Sequence, residues 1–109
     1  MLRNLEGKIT LRLSPEQVQS IREVTAEIFG PEAQVWLFGS RVDDNLRGGD
    51  VDLLVESPEP VEDSVWKKAL FAAQLERRFD GRKVDVLLRA PNLLVQPIHE
   101  TARRTGVRL

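Results

Sequence analysis

Apolar residues recur at helical spacing in the first third of the chain. They follow one another every three or four residues: Val18, Ile21, Val24 and Ile28. Ser14 stands before them as a cap, Pro15 suits the first helical position, and Gln17 completes a capping box. Gly30-Pro31 is a typical stop signal. The pattern therefore predicts a helix at about residues 15–29.

The rest of the chain alternates short apolar runs with longer helical patterns. The apolar runs predict three strands, at residues 33–38, 50–55 and 83–88. The helical patterns predict two further helices, at about 61–79 and 94–104. In the first of these two helices we expect one apolar face, formed by Val65, Ala69, Ala72 and Phe79.

The remaining segments are less regular. Residues 9–13 alternate like a short edge strand, 41–46 read as a polar turn or short helix, and the tail at 106–109 could add a strand. We expect an α/β (α+β) fold, a small mixed sheet with helices packed on it. It should form one domain over residues 1–109, with a core at about 14–88 and a C-terminal helix and tail at 89–109.

Composition narrows the classes of partner. The 109 residues contain 16 Lys and Arg against 17 Asp and Glu, so the basic surplus typical of nucleic-acid-binding proteins is missing. The chain has no cysteine, which suits the reducing cytoplasm, and we expect a cytoplasmic protein. No apolar run approaches the roughly 18 residues of a membrane span, so no membrane partner is expected.

Two aspartates interrupt the second predicted strand. Asp50 and Asp52 are two residues apart, so a strand would project both side chains from the same face. Adjacent carboxylates repel each other unless a cation lies between them. Hard divalent cations prefer carboxylate oxygens, and the pair therefore predicts a metal site.

A third acid and a glycine-serine pair extend this site. Asp85 lies in the apolar strand 83–88, where it either forms an ion pair or joins the other two carboxylates. The candidate ion-pair partners are Arg82, Lys83 and Arg89. Gly39-Ser40 directly follows the first strand, and a turn of this kind can hold phosphate oxygens. Arg41 comes next and could contact a triphosphate or pair with Asp43 or Asp44.

Taken together, these residues predict a phosphoryl-transfer site. Asp50, Asp52 and Asp85 could hold two magnesium ions about 3.5–4 Å apart. Gly39 and Ser40 would hold the β- and γ-phosphates of a nucleotide. Asp85 is the candidate general base, because it comes from a separate strand and could reach both the metal and an acceptor hydroxyl.

The order of these motifs resembles that of the nucleotidyltransferase superfamily that includes DNA polymerase β, in its minimal form. The resemblance rests on Gly39-Ser40, Asp50-Val51-Asp52 and Asp85, and it covers about residues 14–88. It implies transfer of a nucleoside monophosphate from a nucleoside triphosphate. Minimal members are similar to the antitoxin of a two-gene module whose partner is a small helical HEPN-domain toxin. The resemblance then implies transfer of AMP from ATP to a tyrosine of that toxin.

Two alternatives stay open at this point. One is nucleotidyl transfer to a small molecule such as an aminoglycoside, in which a dimer or a partner chain would complete the acceptor pocket. The other is a binding module that masks a toxin without catalysis.

Four further positions carry predictions of their own. We expect Trp36 in the core, Trp66 either in the core or exposed as an anchor for a partner, and His99 as a packing or surface residue. We expect Glu56 to lie in a solvated loop.

Overall fold

The computed structural model describes residues 13–38, 51–94 and 96–109. These residues form a four-stranded sheet and three helices. The helices are α1 (Pro15–Phe29), α2 (Ser64–Arg78) and α3 (Pro97–Thr105), and the strands are β1 (Gln34–Phe38), β2 (Val51–Glu56), β3 (Val84–Arg89) and β4 (Val107–Arg108). The predicted α+β class is confirmed, as is the mixed sheet. Within the described ranges, no helix is both long and apolar enough to cross a membrane.

The sheet has the strand order β3-β2-β1-β4. β2 and β3 run parallel and are joined through α2, whereas β1 lies antiparallel to β2 on one side and to β4 on the other. The short strand β4 shows that the tail does add a strand, at the edge beside β1.

Helix α1 begins as the sequence predicts. The Ser14 hydroxyl accepts a hydrogen bond from the Gln17 backbone N–H at 3.1 Å, and the Gln17 side chain accepts one from the Ser14 N–H at 2.8 Å. These two bonds satisfy backbone donors that a helix start leaves unpaired. At the other end, the Gly30 N–H donates to the Ala26 carbonyl. The predicted bounds of this helix are correct.

Helix α2 begins later than predicted. The Val61 backbone exchanges two hydrogen bonds with the Asn92 side chain, of 3.0 and 2.9 Å, and is thereby held to the loop after β3. Asp63 then adopts a left-handed conformation, with φ 52°, which is incompatible with a continuous helix. The predicted apolar face is also wrong in part, since Val65 is 79% exposed, whereas Phe71 and Leu75 are fully buried.

Helix α3 begins three residues after the predicted start. Pro97 takes the first helical position, and a residue that precedes proline is disfavoured in the helical region. Gln96 is accordingly extended, with φ −117° and ψ 157°. Pro97, which lies inside the predicted range 94–104, is therefore the first residue of this helix.

The two faces of the sheet bury different clusters. The larger cluster packs alternate strand residues against α1 and α2, and its fully buried members include Ile21, Val24, Leu53, Phe71 and Leu75. The smaller cluster lies on the opposite face, where Trp36 and Leu54 pack against Ala102 of α3. Trp36 is 8% exposed, which confirms it as a core residue.

Several sequence predictions lie outside the described residues. They are the strand at 9–13 apart from its last residue, the turn or short helix at 41–46, and the first residue of the strand at 50–55.

Candidate functional site

Asp52 and Asp85 lie side by side in the sheet. They are register partners in the parallel pairing of β2 with β3. Register partners in neighbouring strands project from the same face, about 4.8 Å apart along the hydrogen-bonding direction. Leu53 of β2 packs on the face that carries α1 and α2, and its neighbour Leu54 packs on the face that carries α3. Asp52 shares the face of Leu54 because side chains alternate along a strand, so both acids lie on the face that carries α3.

The two acids lie at the same end of the strands. Each is the second residue of its strand, and Phe38, the last residue of β1, is the antiparallel partner of Asp52. The chain therefore leaves β1 and enters β2 at the end of the strands where both acids lie. The four other predicted site residues, Gly39, Ser40, Arg41 and Asp50, belong to the intervening sequence and lie outside the described residues.

The surroundings of Asp85 leave it accessible. Its side chain is 50% exposed, and its carboxylate lies 4.0 Å from the ammonium group of Lys83, which is itself 66% exposed. Solvent screens such a pair strongly, so it stabilises the fold little. Of the three predicted ion-pair partners, Arg89 contacts other acids instead. Asp85 is thus half open to solvent and accessible to a bound molecule.

The donor chemistry of this pair suits a hard divalent cation. Two carboxylates side by side repel each other, and a cation between them relieves that repulsion. No group of three or more metal-ligating side chains occurs among the described residues. The described part of the chain thus supplies two of the three carboxylates that the sequence predicts as ligands.

A second charged cluster lies four residues further along both strands. Glu56 contacts Arg89 at 3.2 Å and Arg103 at 3.8 Å, and Arg89 also contacts Glu100 at 3.1 Å. The Arg103 guanidinium lies 5.7 Å from the centre of the Trp36 ring. Four residues of strand correspond to roughly 13 Å, so this cluster is separate from the two acids.

The role of Glu56 corrects the prediction of a solvated loop residue. It belongs to β2, its side chain is only 19% exposed, and it joins β2 to β3 and α3. Strand alternation puts Glu56 on the same face of β2 as Asp52, and Arg89 on the same face of β3 as Asp85, but the contact between them also depends on the parallel register. A cavity of about 480 Å³ opens beside the cluster, lined by Glu32, Ser57, Pro91 and other residues. We assign this cavity no catalytic role, because it lies at the opposite end of the strands from the acids.

His99 is a packing residue, as predicted. It is 6% exposed, and its Nδ1 accepts a hydrogen bond from the Gln96 backbone N–H at 3.2 Å. Burial lowers the pKa of His99 below its usual value of 6.5, and the positive charges of Arg89 and Lys68 lower it further. The neutral ring therefore helps to cap the start of α3.

Comparison with known proteins places the chain in a family. A family model described as a nucleotidyltransferase domain matches residues 18–105. The matched range contains β1, β2 and β3 and both register-paired acids. A search of curated proteins gave no match.

Proposed function

Because the chain belongs to the nucleotidyltransferase domain family, we propose that it transfers AMP from ATP to a hydroxyl group on a partner protein. Family membership supports nucleotidyl transfer in general. The proposed partner is a small helical toxin of the HEPN type, which the transfer would silence, so that this chain acts as an antitoxin in the cytoplasm. The observation that carries the proposal is the register pairing of Asp52 with Asp85 at the end of the sheet where β1 terminates.

In the proposed reaction, the acceptor hydroxyl oxygen attacks the α-phosphorus of ATP. The new bond joins that oxygen to phosphorus, the bond between the α-phosphorus and its bridging oxygen breaks, and pyrophosphate leaves. Asp85 takes the hydroxyl proton, since its carboxylate is half exposed and close to that of Asp52. Gly39, Ser40 and Arg41 would hold the phosphates, and holding the reactants in place accounts for much of such a rate enhancement.

Asp52 and Asp85, together with Asp50, would hold magnesium. Two bound ions would neutralise charge on the phosphates and lower the pKa of the acceptor hydroxyl. The carboxylate oxygens of the described pair suit this role, because magnesium is bound in proteins through carboxylates and substrate phosphates.

Mass spectrometry tests the proposal directly. The protein is incubated with ATP, magnesium and the helical protein encoded beside it, and we expect one AMP to be added to that protein. Asp52→Asn should lower the rate by about 100-fold or more, because it removes a carboxylate that would hold the magnesium ions against the phosphates.

Asp80→Asn is the matched control. Asp80 is exposed at the end of α2 and adopts a left-handed conformation, with φ 57°, which asparagine tolerates. The control should keep full activity. The proposal fails if the wild type forms no adduct or if Asp52→Asn forms as much as the wild type. An adduct on an aminoglycoside alone would assign the small-molecule reaction, and toxin inhibition without ATP would assign non-catalytic masking.

A further inference from the structure

Helix α2 has an apolar face on the side that does not pack against the sheet. Phe71 and Leu75 enter the core, and at about 100° per residue the opposite side carries Trp66, Ala69 and Ala73. Trp66 is 65% exposed, and both alanines are exposed. The outer side of a surface helix is normally polar, so this face is typical of a protein contact.

Charges of opposite sign lie at the two ends of this face. Glu62 and Asp63 are exposed just before α2 begins, and Arg77 is exposed in its last turn. Among the described residues, Glu62 and Arg77 take part in no ion pair. Arg78, by contrast, contacts Glu23 of α1 at 3.1 Å.

From these features we propose that the outer face of α2 binds the same face of a second copy of this chain, with the two helices antiparallel. An antiparallel arrangement brings the acidic start of each helix beside Arg77 of the other copy. A parallel arrangement would place like charges together. A contact in which both copies use the same surface is the usual basis of a two-fold symmetric dimer.

The sizes of the apolar side chains fit the same arrangement. With the two-fold axis between Ala69 and Leu70, Trp66 of each copy lies over Ala73 of the other. The small alanine side chains let the helices approach closely, and the indole ring fills the space beside them. The complementary pairs of size and charge thus come from one helix, and for this reason we assign the face to a second copy.

The proposed dimer leaves the two acids open. Helix α2 packs on the face of the sheet that carries Leu53, whereas Asp52 and Asp85 belong to the opposite face. Dimer formation and nucleotidyl transfer can therefore be measured separately, and the dimer does not depend on the proposed reaction.

Light scattering after gel filtration tests the dimer across a range of protein concentrations. We expect the wild type to be a dimer in the micromolar range, and Trp66→Glu should weaken association by about tenfold or more. Leu94→Glu is the matched control, because Leu94 is 81% exposed and lies outside α2. It should leave the dimer unchanged, and circular dichroism should show that both variants are folded.

A charge exchange tests the direction of the helices. Glu62→Arg and Arg77→Glu should each weaken the dimer, because each places like charges together. The double variant should restore it. Restoration would be absent if the two helices ran parallel.

Cross-linking gives an independent measurement. The chain has no cysteine, so a disulfide in Ala69→Cys can form only between two chains. Ala26→Cys, also exposed but on α1, is the control and should cross-link much less. A wild type that is monomeric at every concentration, equal cross-linking of both variants, or use of this face only by a different protein would overturn the proposal.

Discussion

Asp85 is the residue at which metal binding can be measured without a substrate. In chelator, Asp85→Asn removes the repulsion between two neighbouring carboxylates, and within the described part of the chain it loses one ion pair, the screened contact with Lys83 at 4.0 Å. We therefore expect this variant to melt no lower than the wild type in chelator. Thermal unfolding monitored by circular dichroism measures it.

Added magnesium should reverse that order. A ligand that binds only the folded state at about 100 times its Kd stabilises it by about 2.7 kcal/mol, so the wild type should gain several degrees in Tm. Asp85→Asn should gain much less, whereas the control Asp80→Asn should gain as much as the wild type. An Asp85→Asn variant that melts several degrees lower in chelator would contradict the carboxylate pair.

His99 should make the stability of α3 depend on pH. Its folded-state pKa lies below the usual value of 6.5, first through burial and then through Arg89 and Lys68. Between the two pKa values the unfolded chain binds more protons, so stability rises with pH. This contribution is complete above about pH 6.5 and is lost as the pH falls through the folded-state value.

His99→Gln separates this effect from general acid sensitivity. Glutamine at the third helical position can still accept the Gln96 N–H but carries no titrating proton. The difference in Tm between pH 7.5 and pH 5, chosen about the usual histidine pKa, should therefore be smaller in the variant. Equal losses in both proteins would show that His99 does not titrate as described.

At the scale of the elements, the junction of α3 with β4 depends on Gly106, which has no room for a side chain. A Cβ at Gly106 would lie 2.5 Å from the Ala102 carbonyl oxygen and 2.8 Å from that of Leu37. Both are backbone atoms, so α3 or β1 must shift. We expect Gly106→Ala to destabilise the protein by about 1–3 kcal/mol, measured by urea unfolding.

Gly81→Ala is a control with a different physical basis. Gly81 has open space around its Cα but a φ of 87°, which disfavours alanine. Gly81→Asn should recover part of that loss, since asparagine tolerates a left-handed backbone better than alanine. Gly106→Asn should recover nothing, because the clash at Gly106 is steric. A neutral effect of Gly106→Ala would contradict the tight packing of α3 on β1.

Helix starts show where the sequence pattern predicts elements well and where it does not. The start of α1 is encoded locally, in Ser14 and Gln17, and was predicted correctly. The start of α2 depends on Asn92, a contact between residues 31 positions apart, which periodicity cannot detect. The start of α3 was also readable, since Pro97 disfavours helix before it, but the apolar pattern from Leu94 obscured that signal.

At the scale of the whole sheet, the sequence predicts where the strands lie and which residues share a face. It predicts less well which strands pair with each other and in what register. Alternation along β2 and β3 was enough to put Asp52 and Asp85 on definite faces of their strands. That these faces coincide depends on the parallel register, which only the fold supplies. The grouping of Gly39, Ser40, Arg41 and Asp50 with that pair stays a prediction, as do the nucleotide, the acceptor and the partner.

The two apolar clusters share the same strands, and we expect the chain to unfold as one unit. Leu54 packs toward α3, while Leu53 and Val55, its neighbours in sequence, pack toward α1 and α2. Neither cluster can be lost without disturbing the strands that hold the other, because core packing is close and backbone shifts are transmitted.

Trp36 can report on the smaller cluster alone. The chain has two tryptophans, and Trp66→Phe leaves only Trp36, which lies beneath α3 with Arg103 beside its ring. We expect the urea midpoint from Trp36 fluorescence to equal that from far-UV circular dichroism, which reports on all three helices. At protein concentrations too low for the proposed dimer, the dichroism curve of the variant should match the wild type within about 0.5 kcal/mol, because Trp66 is then an exposed side chain. A fluorescence change at lower urea would show instead that α3 separates from the sheet while α1 and α2 stay folded.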